Sequence, residues 1–396
     1  METSPTARQI AIIGAGIGGL TAALALARSG HKVEIFERAA SLHEAGAGVQ
    51  LSPNASRVLH HLGLEEALRP HVFVPQATEF RHYKSGAMLA TAPLGAAVEA
   101  AYGAPYYHIH RGDLQRVLLD AVDATNAVMH SGCAVTGVAS DDDGVTLRAD
   151  DTAHRADIVI GADGIHSATR EALWGADAPR FTGNVAWRFL VPSESLPENM
   201  IAPTATAWWG PGKHVVHYYV RGGGLVNCVC LVEQNDWTHE GWTQRGDKQE
   251  LQQHFTDWHD IIGTLLDKAD PENLYKWALY DRAPMPQWGN GRVSLLGDAA
   301  HPMLPYVAQG AAQAIEDAAV LTRCLNEGAD SAAALAAYEQ LRRPRTARIQ
   351  AAARRNARVF HLSGVAAWMR NRLVGRASRG VMHEIFSYDA LDGLDA

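Results

Sequence analysis

The sequence predicts an α/β chain in three parts: a dinucleotide-binding domain built on a parallel, doubly wound sheet, a β-rich domain, and a helical C-terminal region. Three observations carry that expectation. A strand, a glycine-rich turn, a helix and a second strand follow one another within residues 9–37. Two further apolar strands, at 156–164 and 292–301, run into glycine and aspartate turns, so three strands point loops at one site. From 184 to about 280 the texture turns β-rich, with segments such as NVAWRFLV, ATAWW, KHVVHYYV and LVNCVCLV.

In the first unit, QIAII is a short apolar strand, and Gly14-Ala-Gly16-Ile-Gly18-Gly19 is the turn before the helix IGGLTAALALARS. Gly14 permits the tight turn, Gly16 lets backbone N–H groups approach a pyrophosphate, and Gly19 lets the helix pack closely on the strand. Glu37 closes the second strand, KVEIF, where it can accept hydrogen bonds from ribose hydroxyls, with Arg38 beside it. Strand, turn, helix, strand and acid at these distances describe a Rossmann-like dinucleotide site rather than a packing turn.

The β-rich block reads as a separate, largely antiparallel sheet. Eight of the ten tryptophans fall between 187 and 288, where packing is the expected role of each, and Cys228 and Cys230 share one strand face as packing residues. Within Lys213-His-Val-Val-His-Tyr-Tyr-Val220 the period of two puts His214, Val216, Tyr218 and Val220 on one face, with His217 and Tyr219 on the other. His214 and Tyr218 are then roughly 13 Å apart along the strand, so their side chains can grip opposite ends of a small ring.

Pro302 and Pro305 stiffen the next loop, and Gln309-Gly310-Ala311-Ala312 opens a helix whose N-terminus favours negative charge. Glu316 and Asp317, in its first two turns, are expected as partners of the helix dipole. The Ala-rich helical stretch is expected to be interrupted at Pro344, with basic helices past 350. The boundaries that follow are 1–180 and 285–345 for the dinucleotide domain, 181–284 for the β-rich domain and 346–396 for the C-terminal helices.

Composition narrows the function. The chain has 396 residues, with 35 Lys and Arg against 43 Asp and Glu, so it carries no basic footprint for nucleic acid or an anionic membrane. At 47% hydrophobic and 20% charged residues, and with no apolar run approaching 18, it reads as a folded chain that does not span a membrane. Four cysteines without a CxxC pair, and no signal-peptide pattern, point to the cytoplasm and away from a disulfide reductase. No metal-ligand spacing is evident among the 19 histidines.

Two further motifs give a resemblance. Gly161-Ala-Asp163-Gly164-Ile-His-Ser-Ala-Thr-Arg170 resembles the DG motif, and Gly297-Asp298-Ala-Ala-His301-Pro302 the GD motif, of the group A flavin-dependent aromatic hydroxylases. With the first glycine motif they occur in that family's order, over about residues 9–345. The resemblance implies that the first motif holds the ADP half of FAD, that Asp298 meets the ribitol, and that Asp163 serves both FAD and NAD(P)H. It also implies that Arg111 in IHRGDLQRVL contacts FAD and that the 310–312 helix start faces the isoalloxazine. No second GxGxxG exists, since Gly46-x-Gly48, Gly210-x-Gly212 and Gly289-x-Gly291 lack the third glycine, so NADH or NADPH is expected as a transient co-substrate. O2 and a small aromatic acid are the other implied partners, and a homodimer is admitted.

Within that family the chain resembles the salicylate, 3-hydroxybenzoate and 6-hydroxynicotinate hydroxylases. This implies that His214 and Tyr218 line the substrate pocket and take or relay a phenolic proton, with Gln50 beside the flavin and Pro305 near the substrate. His301 is a weaker candidate base. Oxidative decarboxylation of salicylate to catechol is the favoured expectation, with 3-hydroxybenzoate 6-hydroxylation or 6-hydroxynicotinate 3-hydroxylation as the alternative. Outside the class stand a flavin-dependent halogenase, faintly echoed by Trp187-Arg-Phe189, and a non-catalytic flavin-binding protein.

Overall fold

The computed structural model describes residues 7–42, 48–150, 152–239, 241, 244–328 and 330–392, with the side chains of 376–379 set aside; Gly46 and Trp242 lie outside these residues. Strand β1 (Gln9–Ile13), helix α1 (Ile17–Arg28) and strand β2 (Lys32–Glu37) form the expected unit. β1 pairs in parallel with β2 on one side and with Ile158–Gly161 on the other, and that strand pairs in parallel with Val293–Leu295. A parallel sheet of this kind is covered on both faces, which is why its strands read as unbroken apolar runs. Ile10 and Ile12 pack under the alanine-rich face of α1, and Ala11 and Ile13 under a three-stranded sheet carrying Val145 and Leu147. Fully burying each such Ile or Leu is worth about 1.5–3 kcal/mol.

The chain leaves β1 for β2 on one side of the sheet and returns through 158–161 on the other, so the strand order reverses there. Ligand crevices form at that switch point, outside the carboxyl ends of the strands. Gly14 turns away from β1 with φ of +103°, and a Cβ there would fall 2.5 Å from the Ala162 carbonyl oxygen. At Gly19 a Cβ would fall 2.0 Å from the Gly14 carbonyl oxygen, so this glycine is required for α1 to sit against the turn.

The second sheet has seven strands, and Lys213–Val220 (β3) and Leu225–Glu233 (β4) lie at its centre. Its membership departs from the boundary expected at 181, because Ala77–His82 and Met88–Pro93 extend it, with 77–82 pairing in parallel to Ala205–Gly210. One face packs Trp187, Trp208, Val215, Cys228 and Cys230 against the short helices Lys248–His254 and Asp260–Asp267. Both cysteines are buried and free. The other face looks toward the dinucleotide domain.

Helices α2 (Gly310–Glu327), α3 (Ser331–Phe360) and α4 (Gly364–Phe386) complete the chain. Two expectations are corrected here. Pro344 does not interrupt the helix; α3 runs through it for 30 residues. The reason is anchorage, since Arg342 and Arg345 on either side are both held by carboxylates of α2. Those carboxylates are Glu316 and Asp317, which are fully buried ion-pair partners rather than dipole partners. Arg342 bridges both, Arg345 Nε lies 2.7 Å from Glu316, and His301 Nε2 lies 2.6 Å from Asp317. Asp317 also accepts from the backbone N–H of Gly297 at 3.0 Å, so the network holds the 297–302 loop in place. Among the described residues no helix is long and apolar enough to cross a membrane.

This network gives a stability prediction. Burial pushes the Asp317 carboxyl up, but His301 and Arg342 pull it further down, to about 2. Its contribution is therefore complete above the ordinary carboxylate range and is lost as pH falls from about 4 toward about 2. Arg342→Met, which removes the cation shared by two buried carboxylates and leaves Glu316 to Arg345 and Asp317 to His301, is expected to cost about 3–5 kcal/mol in urea unfolding at neutral pH. A loss under 1 kcal/mol would show that the pairs carry no net stability.

Candidate active site

Three loops meet at the crevice: the Gly14 turn, residues 162–165 after the strand 158–161, and residues 297–298 after 293–295. Between them and the inner face of the seven-stranded sheet lies one cavity of about 1050 Å³. Its sheet-domain wall includes His214, Val216 and Tyr218, the alternate residues of β3, together with Trp209 and Trp277. His217 points the other way and accepts a hydrogen bond from Trp208 Nε1 at 2.9 Å. The period-two expectation for β3 therefore matches the structure, and only some of the tryptophans are pure packing residues.

Two helix N-termini open onto this cavity. α1 starts at Gly16 and α2 at Gln309, and neither has a side-chain cap, so their first backbone N–H groups remain available as donors. Gly16, Gly18, Gly310 and Ala311 line the cavity, and a Cβ on Gly16 would meet nothing within 4 Å. Ala308, next to the start of α2, holds a left-handed φ of +50°, a strained conformation for alanine at the cavity wall. Two uncapped helix starts, each bearing partial positive charge, form a donor set suited to a long ligand with a phosphate group and a second anionic end. The residues fit a dinucleotide whose phosphates lie on α1.

The other expected cofactor residues divide into two groups. Arg111 and Asp298 line the cavity. The accessible surface of Asp298 faces that space, and enclosure by the protein holds its carboxyl above the ordinary range, with His301 and Arg111 pulling the other way. Gly14, Gly19, Glu37, Arg38, Asp163 and Ala312 do not line it. Glu37 accepts from the N–H groups of Ala15 and Ala39, both at 2.8 Å, and Arg38 beside it is exposed. Asp163 accepts from the Thr169 N–H and hydroxyl, both at 3.0 Å, so it shapes the loop whose Ala162, Gly164 and Ile165 face the cavity. His301 is buried on Asp317, away from the cavity, which removes it as a candidate base.

Gln50, Pro305, His214 and Tyr218 all line the cavity. Gln50 Oε1 accepts from the Tyr106 hydroxyl at 2.7 Å, and its amide also bonds the Tyr218 hydroxyl. Burial pushes the Tyr218 phenol up, against the nearby positive charge of Arg188, which is itself a buried cavity residue lying 4.9 Å over the Trp277 ring. At the other end His214 is 2% exposed and packs against the Tyr306 and Phe360 rings, each with its centroid 5.3 Å away. Its Nδ1 lies 2.8 Å from His361 Nε2, and His361 Nδ1 lies 3.0 Å from Glu233 Oε1. Burial and the neighbouring His361 hold the His214 imidazole well below its ordinary pKa. It is therefore neutral at pH 7, with a lone pair to offer.

Arg188, His361 and Glu233 are additions to the site. Arg188 sits in NVAWRFLV, where a charged residue inside an apolar strand was a usable signal, whereas His361 follows α3 with no motif around it. Away from the cavity, Glu34, His130 and His154 cluster on the dinucleotide domain, with His130 Nε2 2.9 Å from the Glu34 carboxylate.

Comparison with known proteins agrees with this geometry. The FAD binding domain family matches residues 7–353. A 3-amino-4-hydroxybenzoate 2-monooxygenase of Streptomyces platensis is 42% identical over 94% of this chain and 93% of its own. A 6-hydroxynicotinate 3-monooxygenase of Bordetella bronchiseptica is 40% identical over 86% and 89%, and a 3-hydroxybenzoate 6-hydroxylase of Klebsiella oxytoca 38% over 91% of each. Among solved structures, Klebsiella pneumoniae HpxO complexed with FAD and uric acid superposes with a TM-score of 0.86 at 29% identity, covering 96% of this chain and 97% of that one. A salicylate hydroxylase substrate complex gives 0.80 at 28%, covering 97% and 96%.

Proposed function

Because this chain belongs to the FAD binding domain family and is a group A flavoprotein hydroxylase acting on aromatic acids, we propose that its substrate is an amino- or hydroxy-substituted benzoate, hydroxylated beside the carboxylate. Bound FAD, reduced by NAD(P)H, supplies the activation of O2 and the transfer of one oxygen atom to the ring. The observation that carries the finer reading is the single cavity, in which the residues suited to FAD face His214 and Tyr218 across one space.

The names of the relatives support the position of attack. Position 2 of 3-amino-4-hydroxybenzoate and position 6 of 3-hydroxybenzoate both adjoin the carbon bearing the carboxylate. Each also lies ortho or para to an amino or hydroxyl group that can donate electrons. In this reading the protein fixes the carboxylate at one end and raises electron density from the other. Arg188 and the Tyr218 hydroxyl take the carboxylate, since a buried anion needs a cation or strong donors. His214 takes the proton of the ring hydroxyl on Nε2. A phenol near pKa 10 is a poor nucleophile and its phenolate a strong one at the ortho and para carbons, so for a ring attacked para to its hydroxyl, as at position 6 of 3-hydroxybenzoate, this proton transfer is the chain's largest contribution to the chemical step. Gly16 and the start of α1 hold the FAD pyrophosphate, Arg111 and Asp298 the middle of the molecule, and Gly310 and Ala311 the flavin end, while Glu37, bonded to the Ala15 N–H just beyond the cavity wall, is left for the ribose at the outer end of the ligand.

The salicylate-type expectation is the second reading, supported by the likeness to salicylate hydroxylase. Holoenzyme assayed with 3-amino-4-hydroxybenzoate, 3-hydroxybenzoate, 6-hydroxynicotinate and salicylate separates the two. The first reading predicts that one of the first two best stimulates flavin reduction by NADH and yields a product that keeps its carboxylate. Salicylate as best substrate, giving catechol and CO2, would replace it with the second. Equal NADH oxidation with and without every acid would sink both.

A further inference from the structure

A proton taken by a base 2% exposed to solvent has to leave the site, and the geometry points to a built exit. We propose that His214, His361 and Glu233 form a proton relay from the substrate cavity to solvent, with His361 as positioning residue and Glu233 as the outlet. The inference rests on the reading of His214 as the base.

The three groups form an unbroken line. His214 lies on β3, Glu233 ends β4, and His361 is the first residue after α3. His214 Nδ1 to His361 Nε2 is 2.8 Å, and His361 Nδ1 to Glu233 Oε1 is 3.0 Å. His361 is buried, while the Glu233 side chain is 57% exposed, so the line starts in the cavity and ends in water. The turn bearing His361 is pinned to the turn between the strand Ala205–Gly210 and β3, because Gly212 N–H donates to the His361 carbonyl at 3.0 Å, and the Gly212 carbonyl in turn accepts from the Glu233 N–H at 2.9 Å.

The direction of every bond follows from the carboxylate. An ionised Glu233 only accepts, so His361 carries its hydrogen on Nδ1. A neutral His361 then has its lone pair on Nε2 and accepts from Nδ1–H of His214. That leaves Nε2 of His214 without a hydrogen and available to the cavity, which is the tautomer a general base needs. A surface carboxylate thus sets the protonation of a nitrogen two rings away.

The step balances. The substrate O–H bond breaks as Nε2–H forms on His214. The Nδ1–H of His214 passes to Nε2 of His361, and the Nδ1–H of His361 passes to Glu233, which releases it to water. The substrate becomes a phenolate, and neither histidine keeps a charge. When the product phenolate regains a proton, transfer in the reverse sense restores both starting tautomers. A resting imidazolium is disfavoured at both rings: burial acts on each, His361 acts on His214, and Arg370 of α4 opposes the effect of Glu233 on His361. Of the other polar groups nearby, the Tyr306 phenol is raised by burial, and Lys213 points away to the His254 carbonyl.

The test measures proton release when weakly buffered holoenzyme, with an indicator dye, is mixed with 3-hydroxybenzoate in a stopped-flow instrument. His361→Gln keeps an acceptor toward His214 and a donor toward Glu233 but cannot exchange tautomers. It is expected to keep FAD and KM and to slow proton release and coupled hydroxylation by ~100-fold, the scale of a lost acid–base function, with NADH diverted to hydrogen peroxide. Glu233→Gln, at an exposed position where folding is not at risk, is expected to slow both in the same sense. Wild-type proton release in His361→Gln beside slowed release in His214→Ala would overturn the relay and leave His214 as the base. Wild-type release in His214→Ala would overturn both.

Discussion

Gly16→Leu is expected to give a folded protein without flavin. Gly16 has φ of −71° and an extended backbone that any residue adopts, and a Cβ there meets no protein atom within 4 Å. A side chain that starts in this open space, on the cavity wall, takes the room of a ligand lying on the start of α1. Several charge-assisted hydrogen bonds to the pyrophosphate would be lost, each worth about 1.5–3 kcal/mol, so FAD affinity should fall by far more than 100-fold. The check is visible flavin absorbance per protein beside circular dichroism. Gly19→Ala is the contrast, because its Cβ meets the Gly14 carbonyl oxygen and should cost folding itself. A Gly16→Leu protein with a full complement of FAD would show that the ADP half lies elsewhere.

His214→Ala is expected to lower coupled hydroxylation by ~100-fold or more while FAD content stays at the wild-type level, because β3 lies outside the three loops at the crevice. NADH consumption should persist and yield hydrogen peroxide, since a ring that is not ionised reacts too slowly to capture the oxygen. Tyr218→Phe removes one hydroxyl that shares a hydrogen bond with Gln50, so it should cost about 1 kcal/mol, read as a rise in KM. Product yield per NADH separates the two variants. Wild-type yield and affinity in both would remove these residues from the site.

The parts of this molecule legible in the sequence are those that obey local periods or topological rules. β1, α1 and β2 announced themselves through an apolar run, a glycine turn and an acid, and the loops after 158–161 and 293–295 converge because parallel strands end on the same side. Period two alone places His214 and Tyr218 on one face of β3. The rest depends on contacts between distant segments. Nothing local in 77–93 marks it as an extension of the second sheet, whose pairing there is with residues 205–210. Glu316 and Asp317 looked like dipole partners because Arg342 and Arg345 reach them only once α2 and α3 pack. The same packing carries α3 through Pro344. His361 meets His214 across 147 positions of sequence, and only the closure of α3 against the second sheet brings them together.

One cavity is proposed to hold FAD together with an aromatic acid oriented between Arg188 and His214, and a crystal structure of the FAD complex with bound 3-hydroxybenzoate measures that arrangement. The ring hydroxyl is expected within about 3 Å of His214 Nε2, the carboxylate at Arg188 and the Tyr218 hydroxyl, and the flavin ring against the start of α2. A ring bound in the opposite sense, with its carboxylate on His214, or an acid bound outside this cavity would contradict it.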